Sequence, residues 1–223
     1  FIGSNVARRF LDEGYRVVGV DDLSSGFEKQ IPKGVDFIEG DLSNKKIVNS
    51  LPKDSYKILH IAGQSSGEIS FQNPYRDLEK NTLSTLNLID YGIKYNAERF
   101  IYASSMSVYG NVPDYPVKEN LNPVHLSCYG VGKFSSEQYL NIFNKKLPYI
   151  SLRMFNVYGP GQDLQNLSQG MVSIYLSMAL NDSKILIKGS LNRFRDFIYI
   201  DDVVEAWYKA TLSNNALNQV FNI

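Results

Sequence analysis

The chain has 223 residues, 43% of them hydrophobic and 21% charged, and its 23 basic side chains balance 23 acidic ones. This is a globular composition, with no charge excess to draw the chain to nucleic acid and no apolar run long enough to span a membrane. The single cysteine, Cys128, excludes an internal disulfide and fits a reducing, cytoplasmic setting.

The first stretch, FIGSNVARRFLDEG, places Ile2, Val6, Phe10 and Leu11 on one helical face. A helix in first position and a strand-like QVFNI in last position read as a chain cut at both ends. Short β-branched and apolar runs predict strands over 15–22, 35–41, 57–63, 99–105 and 149–155. The spacing of Leu78, Thr82, Thr85, Leu86, Ile89 and Ile93 predicts a helix over 75–95. Val131, Phe134, Ser135, Gln138 and Ile142 predict another over 127–145. Beyond Gly159 the pattern predicts a loop, a helix over 171–180 and a strand over 184–189. A further strand then runs into a helix capped by Asp201 or Asp202. Short strands alternating with helices imply right-handed crossovers and a parallel sheet covered on both faces. The expected fold is therefore a Rossmann-like, doubly wound α/β domain.

In such a sheet ligands bind at the carboxyl ends of the strands. The polar punctuation falls there: Asp21 with Asp22, Asp41, Gly63 with Gln64, Ser104 with Ser105, and Asn156. An acid at the end of the strand after the first helix accepts hydrogen bonds from an adenosine ribose and repels a 2′-phosphate. That makes NAD the expected cofactor, held by Asp21 or, equally, by Asp22. Gly3 stands where the last glycine of a dinucleotide loop would let helix and strand approach. No metal is expected.

Tyr129 and Lys133 are four residues apart and so share a helix face. In a chain with 15 tyrosines one such spacing arises by chance, so position carries the argument: the pair opens a helix that follows a strand ending in serines. A free phenol titrates near 10. A neighbouring ammonium and an oxidised nicotinamide would both favour the phenolate, and a serine hydroxyl could hold the reacting oxygen. Ser104, Ser105 and Ser107 are the candidate serines. His60 reads as a hydrogen-bonded core residue, and Cys128 as a small buried filler.

Together these residues resemble the extended short-chain dehydrogenase/reductase family, in its nucleotide-sugar epimerase and dehydratase branch. The resemblance runs through FIGSNVARRFLDEGYRVVGVDDLSSG, GDL, HIAGQSS, NTLSTLNLID, SSMSVYG, YGVGK, LRMFNVYGPGQ and RFRDFIYIDDV, in family order. It implies Ser105 as the catalytic hydroxyl, Tyr129 as acid and base, and Lys133 on the nicotinamide ribose. It also implies Asp21 on the adenosine ribose with Asp22 beside it, and Asp41 and Leu42 flanking the adenine. Gly3, Ala62 and Asn81 complete the cofactor site, while Asn156 and Arg195 meet the diphosphate of a nucleotide-diphosphate sugar. By the same resemblance, residues 1–160 and 196–223 form the NAD-binding domain and 161–195 part of a substrate-binding subdomain. The two long helices form a homodimer interface, and sugar selectivity lies partly in residues 162–170. Family dehydratases carry Asp-Glu just after the catalytic hydroxyl, where this chain has Met106 and Ser107. The implied reaction is therefore NAD-dependent epimerisation at C4 through a 4-keto sugar. Another keto-forming nucleotide-sugar enzyme, such as a decarboxylase, reductase or dehydratase, and a non-catalytic dinucleotide-binding regulator are the alternatives.

Overall fold

The computed structural model describes residues 1–54, 57–112, 116–167, 170–187, 190–192 and 194–223. The first helix, α1 (Ile2–Asp12), buries Val6 and Phe10 and ends at Gly14, which takes a φ of 82°. A residue with a side chain pays for that left-handed turn, and glycine does not. Strands β1 (Val18–Asp21) and β2 (Asp36–Glu39) pair in parallel, with Asp21 opposite Glu39. Helix α2 (Lys45–Ser50) starts at Asn44, whose side chain accepts from the Lys46 amide. Strand β3 (Lys57–His60) follows. Helices α3 (Gly67–Gln72) and α4 (Pro74–Leu78) are capped by Ser66 and Asn73, and Pro74 takes the first position of α4, where its missing N–H costs nothing.

The helix expected over 75–95 is not one regular α-helix. A π-turn, Glu79–Leu83, separates α4 from α5 (Ser84–Lys94). Strand β4 (Arg99–Ser105) is buried along its whole length, as a central parallel strand should be. Helix α6 (Cys128–Phe143) is capped by Ser127, whose hydroxyl accepts from the Gly130 amide at 3.0 Å. Next come β5 (Tyr149–Met154), β6 (Asn156–Tyr158), α7 (Met171–Leu180), β7 (Phe197–Tyr199), α8 (Ile200–Leu212) and β8 (Gln219–Asn222).

All named ladders are parallel. The central sheet runs β3-β4-β5-β8, with β1-β2 and β6-β7 as separate pairs. Alternation along β4 builds a core on each face, because successive side chains point to opposite sides. Phe100 and Tyr102 pack with Ile58, Leu88, Ile89 and Leu140 on the α5–α6 side. Ile101 and Ala103 pack with Val6, Phe10, Ile150 and Trp207 on the α1–α8 side. Val20 and Ile38 of the β1–β2 pair join the first core, which ties that ladder to the central sheet through side chains.

Three expectations need correction. Residues 184–187 form no strand; the run is apolar, but none of its backbone joins a ladder among the described residues, and 188 and 189 lie outside them. Neither Asp201 nor Asp202 caps α8. The cap position is Tyr199, and both acids sit in the first turn, where the helix dipole favours them. Cys128 is half-buried rather than buried.

One buried ion pair fastens α6 to the sheet. Arg153 on β5 donates through Nε to Glu137 Oε1 at 2.9 Å and through Nη2 to Oε2 at 2.6 Å. Its other nitrogen donates to the Tyr109 hydroxyl at 2.7 Å and to the Glu119 carbonyl at 3.0 Å, and Ser104 donates to Glu137. Removing one partner leaves an uncompensated buried charge. Arg153→Met is thus expected to cost about 3–5 kcal/mol in denaturant unfolding. The double change Arg153→Met with Glu137→Leu should recover much of that loss.

His60 gives a second expectation. Burial, helped by the charge of Lys133, pushes it down to about 3 from its ordinary 6.5. The folded state then holds His60 neutral while the unfolded chain binds a proton, so stability rises with pH in this window. Its contribution is full above pH 6.5 and is lost as pH falls toward about 3. Acid unfolding followed by circular dichroism should show a shallower fall in this range for His60→Gln.

Candidate active site

Strand β4 delivers Ser104 and Ser105 to the carboxyl end of the sheet, and the chain then turns through a short 3₁₀ segment, Met106–Val108. The Ser105 hydroxyl caps that turn by accepting from the Ser107 amide at 3.1 Å. Ser104 is committed elsewhere, to Glu137. Ser105 is the hydroxyl that meets the first turn of α6, as a hydrogen-bond partner of Tyr129.

That turn can come close because it carries glycine. A Cβ on Gly130 would stand 2.5 Å from the Ser107 carbonyl oxygen, and one on Gly132 would meet Asp77 Oδ2 at 3.3 Å and the Asn81 Cβ at 3.4 Å. With no side chains there, α6 lies against both the serine turn and the π-turn, and Tyr129 and Lys133 enter the interior. Tyr129 is 7% exposed and Lys133 4%. The Lys133 ammonium lies 5.7 Å from the centre of the Tyr129 ring and 5.1 Å from that of Tyr102.

The neighbouring ammonium alone does not acidify the phenol. Burial pushes Tyr129 up to about 12; the Ser105 hydroxyl, as a hydrogen-bond partner, pulls it down, and the nearby Asp77 carboxylate adds to the rise. Lys133 falls to about 8 through burial, against the opposing pull of Asp77 and Glu137. Both groups are out of water, and burial is the largest cause of each shift, disfavouring the charged form. On the protein's own groups alone the phenol stays protonated at neutral pH.

Sequence reasoning named Gln64 and Asn81 but missed Asp77, the acid that joins them beneath this pair. Asp77, 2% exposed, accepts through Oδ1 from Asn81 Nδ2 at 3.0 Å and from Gln64 Nε2 at 2.9 Å. Asn81 Oδ1 is buried and has no partner among the described residues. It faces Gly63, where a Cβ would lie 2.5 Å from that oxygen and 3.4 Å from Lys133 Nζ. An orphaned acceptor, an ammonium and a gap that only glycine leaves open fit a ligand bearing hydroxyl donors, such as the ribose of NAD. The π-turn was a signal in principle, since such turns concentrate at functional sites, but nothing in the side-chain pattern announces it.

The other candidates spread along the strand ends. Asp21 is exposed and accepts the Leu23 amide at 2.8 Å. Asp41 accepts the Ser43 amide at 2.9 Å, and the buried Leu42 gives its carbonyl to Asn87 of α5 at 3.0 Å. Ala62 is half-buried against the first core. A Cβ on Gly3 would make ordinary contact with Ile61 at 4.0 Å, so close packing on that residue does not demand glycine. Asn156 donates its side-chain amide to the Asp196 carbonyl at 2.7 Å, which brings it beside the half-buried Arg195; Arg195 itself donates to the Phe194 carbonyl at 3.0 Å.

The model of the NAD dependent epimerase/dehydratase family matches residues 1–223. A UDP-glucose 4-epimerase of Mycolicibacterium smegmatis is 32% identical over 219 residues, which cover 94% of this chain and 70% of that protein. Among solved structures, the UDP-glucose 4-epimerase of Thermotoga maritima with UDP-glucose superposes at a TM-score of 0.94 and 36% identity, covering 100% of this chain and 73% of the other. The Thermus thermophilus UDP-glucose 4-epimerase in complex with NAD gives 0.92 and 32%, with the same coverage of this chain and 74% of the other.

The close approach at Gly130 can be tested directly. Gly130→Ala forces a backbone shift and is expected to cost about 1–3 kcal/mol in chemical denaturation. Val131→Ala, at the next and exposed position, should stay within about 0.5 kcal/mol of the parent.

Proposed function

The chain belongs to the NAD dependent epimerase/dehydratase family, and we propose that it inverts C4 of a UDP-hexose. The observation that carries this reading is the buried set of Ser105, Tyr129 and Lys133 at the carboxyl end of β4. The chemistry needs one group to take the proton of the 4-hydroxyl and return it. Tyr129 is protonated at rest; it would first release its own proton, and as the phenolate it would take the 4-hydroxyl proton and later return it, with Ser105 beside it to hold the reacting oxygen. Lys133 keeps a positive charge at neutral pH despite its burial, because Asp77 and Glu137 support it. It thus anchors the ribose next to Asn81 and Gly63 and stabilises the phenolate when the proton leaves. Bound NAD supplies a hydride acceptor and donor, and its positive charge supplies the acidification of the phenol that the protein's own groups lack.

Positions 106 and 107 are Met and Ser, so the carboxyl pair that elimination of water would use is absent there. Asn156 and Arg195 take the diphosphate, where a guanidinium suits a bidentate contact. Residues 1–160 and 196–223 serve the cofactor, and 161–195 the sugar nucleotide. Phe71, Tyr75, Leu78 and Ile142 are exposed apolar side chains on α3, α4 and α6, and they support a homodimer built on that face. A free Cys128, and the absence among the described residues of any helix long and apolar enough to cross a membrane, agree with work in the cytoplasm.

The test is the stereochemistry of the product. The intact protein incubated with UDP-glucose should yield UDP-galactose by proton NMR, with no net consumption of NAD. Tyr129→Phe should lower turnover by about 10²–10⁴-fold. An undiminished rate in that variant would remove Tyr129 from the mechanism, and loss of the C6 carbon or of water would assign a different reaction.

A further inference from the structure

Lys80 is a feature that the catalytic set does not use. It leaves the π-turn one residue before Asn81, and adjacent residues on a helical turn point in divergent directions. Asn81 points to Gly63 and Lys133. Lys80 points the other way, to the ends of β1 and β2. There its ammonium pairs with Asp22 Oδ2 and, at 2.8 Å, with Asp41 Oδ2. Each carboxylate is also held at its other oxygen: Asp22 Oδ1 accepts from the Ser24 amide and hydroxyl, and Asp41 Oδ1 from the Ser43 amide. The three side chains are 16%, 26% and 37% exposed, so water screens the arrangement only in part. Burial works to raise Asp22, yet the hydrogen bonds from Lys80 and Ser24 overcome it and hold the acid at about 2.

Asp22 and Asp41 therefore lie just past the ends of two neighbouring strands, and one ammonium locks both. Asp21, the last residue of β1, is exposed and among the described residues accepts only the Leu23 amide, through one oxygen. We propose that Lys80 is a positioning residue for the adenosine end of the cofactor: it pins Asp22 and Asp41 in place and leaves Asp21 as the carboxylate that receives the ribose. The inference rests on the NAD-dependent reading above. It adds that the π-turn serves both ends of the dinucleotide cleft with consecutive residues.

The test is calorimetric titration of the NAD-free intact protein with ADP-ribose, and with UDP as a control for the sugar-nucleotide side. Lys80→Met is expected to weaken ADP-ribose about tenfold, the effect of one lost charge-assisted contact, and to leave UDP unchanged. Lys80→Arg should bind ADP-ribose nearly as the parent does, since a guanidinium can bridge two carboxylates. Adding Asp22→Asn to Lys80→Met should restore part of the loss by removing the repulsion, an effect that a merely structural role would not produce. Should Lys80→Met fail to fold, Lys80→Gln carries the same expectation. Parent-like ADP-ribose affinity in Lys80→Met or Lys80→Gln, or an equal loss for UDP, overturns the proposal. Neither result touches the epimerase reading, which stands or falls on the sugar product.

Discussion

The close seating of α6 is the constraint on which the site depends. Its first turn packs against two pieces of backbone and side chain at once: the serine turn after β4 and the π-turn between α4 and α5. Gly130 and Gly132 make the space, and Ser127 fixes where the helix begins. Once that turn is seated, Tyr129 and Lys133 have no route to solvent and must lie inward beside Ser105. The hydroxyl cluster and the tyrosine–lysine pair, distant in sequence, become one constellation because a helix without side chains at two positions can approach a strand end.

Burial on this scale has an electrostatic cost, and the surrounding polar groups show how it is met. Lys133 is supported by Asp77 below and Glu137 one turn later on α6. Glu137 would itself be an unpaired buried anion without Arg153. Arg153 in turn reaches Tyr109 and the Glu119 carbonyl, and Tyr109 donates to Asn222 of β8. The ammonium at the centre is thus braced by a chain of hydrogen bonds that crosses the sheet from α6 to β8. Such a network specifies position more than it adds stability, because a half-satisfied buried pair costs more than an apolar replacement.

The fold was legible because its signals are local. Each strand of the central sheet is a short apolar run, and Met171–Leu180 was readable to the residue from its composition. That Tyr129 and Lys133 would meet serines at the end of β4 was legible from order along the chain, while the choice of Ser105 among them came from the family resemblance. What stayed hidden depends on pairing across distance. Nothing near Lys80 in sequence announces Asp22, 58 residues away, or Asp41, and nothing near Glu137 announces Arg153. The apolar run at 184–187 misled for the same reason: a strand needs a neighbour, and the sequence shows the run without showing whether a neighbour exists. Spacing reveals the ammonium near Tyr129 but not the water excluded around both groups, which raises the phenol in the protein alone.

That last point bears on how the chemistry is switched. A phenol held near 12 is almost wholly protonated at neutral pH, and the neighbouring ammonium, itself lowered to about 8, does not overcome that. On the proposed reading, the protein therefore builds the proton-transfer group without activating it. A positively charged cofactor bound in this cleft would supply the missing charge where burial makes each charge count most, because the low dielectric that raises the phenol also strengthens the attraction that lowers it. On this account the desolvation that disfavours the phenolate in the free protein is also what couples proton transfer to the oxidised cofactor. Opening the site to water would relax the tyrosine toward its ordinary value and weaken that coupling.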